Sequence, residues 1–229
     1  MTLRLRFGAG LVLAGVVAGV VLLGIAMEVY PGGTAIDPHT RGHSFWLNLL
    51  CDLTEQHARN GEPNTGALVA RAGMVTLSAA LGVHWLILPA FMRGRAVGWV
   101  VRVAGVLQVV ALMFVPFATR LAHPLAIFTS AAAGLVAGIV ALVALVRADG
   151  PAWRWALPVA VLAATAVDAV FYARSVATSP RVVTPALPIF QRVGGLLILA
   201  WLIAVAVEIL ARGRGGRAAP LGPRRKLRA

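Results

Sequence analysis

The chain has 229 residues, of which 59% are apolar and only 13% charged. Adding the 24 glycines brings the apolar share to about 70%, against roughly 45–50% in soluble globular domains. This excludes a disordered chain and an ordinary soluble enzyme, and the single Cys51 excludes an internal disulfide or a Cys-rich zinc module. What remains is an all-α, polytopic membrane protein. Its net charge of +13 is therefore read from the position of each charge along the chain, not as a nucleic-acid footprint.

About 20 apolar residues at 1.5 Å rise cross a ~30 Å hydrocarbon layer. Six such runs are predicted, at about residues 7–27, 65–92, 96–119, 124–146, 155–173 and 187–211. They form one transmembrane domain, 1–211, followed by a basic tail, 212–229. The first run is too long for a signal-peptide core of about 7–15 residues and reads as an uncleaved span. Gly15-x-x-x-Gly19 and Gly134-x-x-x-Gly138 each place two small residues on one helix face, which suits close packing within the bundle.

Thirteen basic residues fall on the side of Arg4, Arg93, Arg147 and the tail, and five on the side of Arg41, Arg59, Arg120, Arg174 and Arg181. The positive-inside rule then puts both termini in the cytoplasm and the long loop, residues 30–64, outside a bacterial plasma membrane. Anionic lipid headgroups are the expected partners of the tail. No cofactor motif and no nucleic-acid partner is expected.

The loop departs from the rest of the chain. Pro31-Gly32-Gly33 ends the first helix, and Asp37-Pro38 marks a turn. From Ser44, a candidate N-cap, Phe45, Leu49 and Leu53 share one face and Asn48, Asp52 and Glu55 another, which predicts an amphipathic interfacial helix to about His57. Asn60-Gly-Glu-Pro-Asn64 closes it as a turn, with Asn64 or Thr65 capping the second span. The set Tyr30-Pro-Gly-Gly-Thr, Phe45-Trp-x-Asn48, Cys51-Asp-Leu and Asn60-Gly-x-x-Asn64 resembles uncharacterised bacterial multi-pass membrane proteins of the DUF998 type. That resemblance covers about 35 residues and implies the six-helix architecture, with no activity attached.

Ionisable groups at membrane depth need partners or water. Asp168, Arg71 and Arg192 fall in the outer third, with Glu28 closing the first span on the same side. An Asp168–Arg71 or Asp168–Arg192 ion pair is expected, with Tyr172 one turn beyond Asp168. Arg102 is placed to reach the cytoplasmic surface, Glu208 and Arg212 to pair four residues apart, and Gln108 and His84 to bond a neighbouring helix. Candidate ligand-binding residues are Glu28, Asn48, Asp52, Asn64, Arg71, Asp168, Tyr172 and Arg192; His57 and His123 are weaker candidates for a metal.

The leading functional expectation is binding of a lipid headgroup or small ligand in an outer polar pocket. A lipid hydrolase or transferase, with or without a metal, using Asp52, His57 or His123, is the alternative. A small-solute transporter is third, because the charges expected inside the bundle do not cross the midplane.

Overall fold

The computed structural model describes residues 2–119, 121–148, 150–178 and 183–215, with side chains described as far as Arg212. The basic tail beyond Gly215, and with it the expected lipid contacts, lies outside the described residues. Helix makes up 75% of the described residues, and no strand occurs among them. Among the described residues, six helices are long and apolar enough to span a membrane: α1 Leu3–Glu28, α2 Ala67–Ile87, α3 Arg95–Phe114, α4 Ala122–Val146, α5 Trp153–Ala177 and α6 Ala186–Gly215.

Successive helices pack on each other and α1 also packs on α6, which closes the bundle into a ring. The long loop sits at one end, here called the loop end. The turns before α3 and α5 and the end of α6 lie at the other, the tail end.

Proline sets two of the boundaries. Pro89 has no N–H to continue the α2 ladder, and the chain tightens there into a 3₁₀ turn, Leu88–Phe91. Pro116 likewise stops α3 at Phe114, five residues short of the predicted Thr119, and Val115–Phe117 form a turn.

The glycine spacings serve contacts inside the chain. A methyl added at Gly19 would lie 2.5 Å from Leu77 Cγ, and one at Gly15 would lie 2.9 Å from the Ala80 side chain. Gly138 faces Leu162 of α5 and Gly134 faces the Gln108 carboxamide of α3. α1 and α2 thus approach closely enough for dispersion to hold them where lipid supplies no hydrophobic drive.

At the tail end, Arg154 of α5 donates to Glu208 Oε2 through Nε at 3.0 Å, and Arg212 reaches the same carboxylate at 2.7 Å. The second pair is the one expected from the sequence. Both guanidinium groups stand over the Phe91 ring, at 5.0 and 5.2 Å from its centroid. Arg102 Nε donates to the Leu86 carbonyl oxygen.

Gly19→Val is expected to destabilise the protein by about 1–3 kcal/mol, since the backbone and Leu77 leave no room for the added carbons. Gly10→Val, with nothing within 4 Å of its added carbon, serves as the control. Thermal unfolding in detergent measures both, and equal losses would contradict the α1–α2 contact.

Candidate functional site

The amphipathic helix predicted from Ser44 is present only as one turn at residues 45–47 and a 3₁₀ helix, Leu50–Thr54. The reason is visible at Ser44 and Asn48. The Ser44 side chain makes no cap; instead its backbone N–H donates to Asn48 Oδ1 at 2.8 Å, and the Asn48 amide donates to the Gly33 carbonyl oxygen at 2.8 Å. Asn48 therefore bonds back along the loop, where a helix would need it to face outward.

Gly33 makes that crossing possible. Its φ is +81°, and a Cβ there would lie 2.5 Å from the Asn60 nitrogen. Thr40 accepts the Gly33 N–H at 2.7 Å, and Gly32 accepts the Asn60 N–H at 3.2 Å, so both arms of the loop are tied to the glycine pair.

Asp52 is the hub of the loop. It is 1% exposed, and four donors reach its carboxylate. Arg59 supplies Nε at 2.8 Å and Nη2 at 2.6 Å to Oδ1, while the Leu49 N–H at 2.9 Å and the Asn48 amide at 3.2 Å approach Oδ2. A carboxylate has about four lone-pair positions, so this one has no capacity left for a substrate proton. Burial opposes the Arg59 charge, but the adjacent Asp52 carboxylate outweighs it and raises the Arg59 pKa. Tyr30 Oη accepts the Arg59 N–H at 3.0 Å, and burial raises the pKa of that phenol. The Cys51 thiol is pushed up to about 12, first by burial and then by Asp52, which removes it as a nucleophile at neutral pH.

The helices reach up to hold this loop by its backbone. Arg192 of α6, 4% exposed, donates from Nε to the Phe45 carbonyl at 2.8 Å and from Nη2 to the Asn48 carbonyl at 2.9 Å. Its guanidinium also lies over the Phe45 ring at 5.3 Å. Gln191 Oε1 accepts the Leu50 N–H at 2.7 Å, and Arg71 Nε donates to the Thr54 carbonyl at 3.0 Å. Asn64 donates to the carbonyls of Leu53 and Glu55 and accepts the Gly66 N–H in the turn before α2; the N-cap is Gly66, with no side-chain cap, so neither Asn64 nor Thr65 caps the helix as expected.

The expected ion pair from Asp168 to Arg71 or Arg192 does not form. Both arginines turn to loop carbonyls instead. Asp168 shares its helix face with Tyr172, which packs on Phe128 of α4. Among the described residues its Oδ1 has no hydrogen-bond partner. Glu28 is exposed. The candidate set is thus divided: Asn48, Asp52, Asn64, Arg71 and Arg192 form one network, and Glu28, Asp168 and Tyr172 stand outside it.

His57 takes part in a backbone bridge with Pro63, and His123 Nδ1 lies 3.1 Å from the Val115 carbonyl oxygen. No three His, Cys, Asp or Glu side chains among the described residues are grouped to hold a metal ion.

His43, Gln191 and Arg59 escaped the sequence reading as site residues. Gln191 beside Arg192, a polar pair in an apolar span, was the available signal. His43 packs edge-on to Tyr30 at 5.7 Å, and its Nε2 is buried without a partner. Burial, and then the Arg192 charge nearby, lower its pKa to about 4. Arg192 Nη1 is the matching unsatisfied donor. The Arg192 guanidinium, with spare capacity at Nη1, lies against Phe45, whose ring and that of Trp46 are exposed, and its charge reaches the neutral His43 imidazole.

No family model matches the chain, and no curated protein or solved structure is similar to it.

His43 is neutral when folded and protonates near pH 6.5 when unfolded, so the unfolded state binds more protons between those values. Stability is therefore expected to fall as pH drops from about 6.5 towards 4. Melting temperatures of the wild type and His43→Gln across that range check this; the variant's curve is expected to be flatter, and parallel curves would contradict it.

Proposed function

We propose that this protein resides in a bacterial plasma membrane, with its loop end outside, and binds an anionic lipid headgroup between the loop and α6. The charge distribution along the chain supports the orientation. The observation that carries the binding reading is that Arg192 Nη1 and His43 Nε2 are both buried and without a partner among the described residues, with the Arg192 charge near enough to lower the His43 pKa.

An unsatisfied guanidinium N–H in a low-dielectric site favours an anionic oxygen, and a phosphate ester supplies one with the right geometry. Neutral His43 can donate to or accept from the same headgroup. Phe45 and Trp46, 39% and 48% exposed, sit where aromatic rings favour the membrane–water boundary. A headgroup arriving laterally from the lipid layer meets these rings first and reaches Arg192 when the rings rotate aside, with the backbone that Arg192 holds left in place.

The hydrolase reading is weaker on the same grounds. Asp52 is saturated with donors, and neither His57 nor His123 adjoins a second acid–base group in any hydrogen bond among the described residues. The kinship with DUF998-type proteins stays a proposal on the loop motifs alone. Anionic headgroups at the basic tail are proposed on its charge.

The test is lipid-dependent stability of purified, delipidated protein. Phosphatidylglycerol is expected to raise the melting temperature more than an uncharged diacylglycerol does, and His43→Leu, which leaves the Arg192 bonds to the loop in place, is expected to remove most of that difference. Equal stabilisation by both lipids, or an undiminished difference in the variant, would refute the site.

A further inference from the structure

The bundle contains a partly open cavity of about 30 Å³ near mid-span, between α2, α3, α4, α5 and α6. Most of its wall is apolar, from Leu81, Leu135, Val161, Leu162 and Ile198. Four polar side chains interrupt that wall: Trp85, Gln108, Thr165 and Trp201.

Trp85 and Gln108 satisfy each other in part, since Trp85 Nε1 donates to Gln108 Oε1 at 2.8 Å. The Gln108 amide nitrogen remains against Gly134, where a Cβ would come within 2.5 Å of it. Trp201 is 2% exposed, and its Nε1–H has no partner among the described residues. The indole also packs edge-on to Trp85 at 5.5 Å and to fully buried His84 at 4.7 Å, whose two ring nitrogens likewise lack partners. The hydrogen bond expected from His84 to a neighbouring helix is therefore replaced by ring packing.

An apolar cavity of this size stays empty, whereas one with two to four polar partners holds water; about 10–15 Å³ suffices for a single molecule. In the hydrocarbon layer no solvent exchanges in to satisfy an orphan N–H, so the choice between the two cases rests on the wall itself. We infer that the cavity is a built hydration site, in which one water molecule accepts from Trp201 Nε1–H and bonds the Gln108 carboxamide and the Thr165 hydroxyl. The site joins α3, α5 and α6 through a ligand and not through direct contact. It is independent of the loop-end headgroup site, with no residue in common.

Water-to-indole magnetisation transfer, measured by NMR on protein labelled with ¹⁵N-tryptophan in nanodiscs, tests this directly. Trp201→Phe assigns the resonance by its loss. A water cross-peak at the Trp201 N–H is expected in the wild type, and Thr165→Val, of equal size without the hydroxyl, is expected to weaken it and lower the melting temperature. Absence of the cross-peak in the wild type, or its persistence unchanged in Thr165→Val, would overturn the assignment.

Discussion

A backbone segment that dips towards the membrane must have its carbonyl groups met by donors, because lipid meets none of them. Here the donors come from the helices beneath. Arg192 takes the carbonyls of Phe45 and Asn48, Arg71 takes that of Thr54, and Gln191 satisfies the N–H of Leu50. This constraint explains why two arginines occupy apolar helices without facing a carboxylate. Each such bond to a charged donor contributes about 1.5–3 kcal/mol, enough to offset part of the cost of placing the charge there.

The loop's own order follows from the same constraint. Once its carbonyls are held from below, Asp52 can be buried above them, because Arg59, Asn48 and the Leu49 N–H converge on it. A buried carboxylate with full donors is a device for fixing one conformation and not for chemistry. The loop end is therefore a rigid cover. What capacity it has left lies at Arg192 Nη1 and His43 Nε2, where the cover meets α6.

The helices were legible because membrane spans declare themselves by length and hydropathy; Pro89 and Pro116 account for the two ends that fell short, while α1, α5 and α6 each run about a turn past the apolar stretch expected. The loop residues Asn48, Asp52 and Asn64 and the arginines of α2 and α6 were legible as a group, since polar side chains in a place that disfavours them need a reason. Their partners were not. An arginine reads in sequence as a charge seeking a carboxylate, so Asp168 was matched to it; the structure shows five-donor forks meeting neutral carbonyls. Ser44 to His57 carried helical spacing, but Asn48 closing onto Ser44 and Gly33 outweighed it. His43 was hidden because its meaning depends on Arg192, 149 positions away in the chain.

The claim that Arg192 both fastens the loop and offers its unpartnered Nη1 to a headgroup can be tested in one measurement. An experimental structure in phosphatidylglycerol nanodiscs is predicted to show phosphate density about 2.7–2.9 Å from Arg192 Nη1, with Nε and Nη2 still on the Phe45 and Asn48 carbonyls. Nη1 bonded to Asp168, or to another group of the protein with no lipid density beside it, would contradict the account.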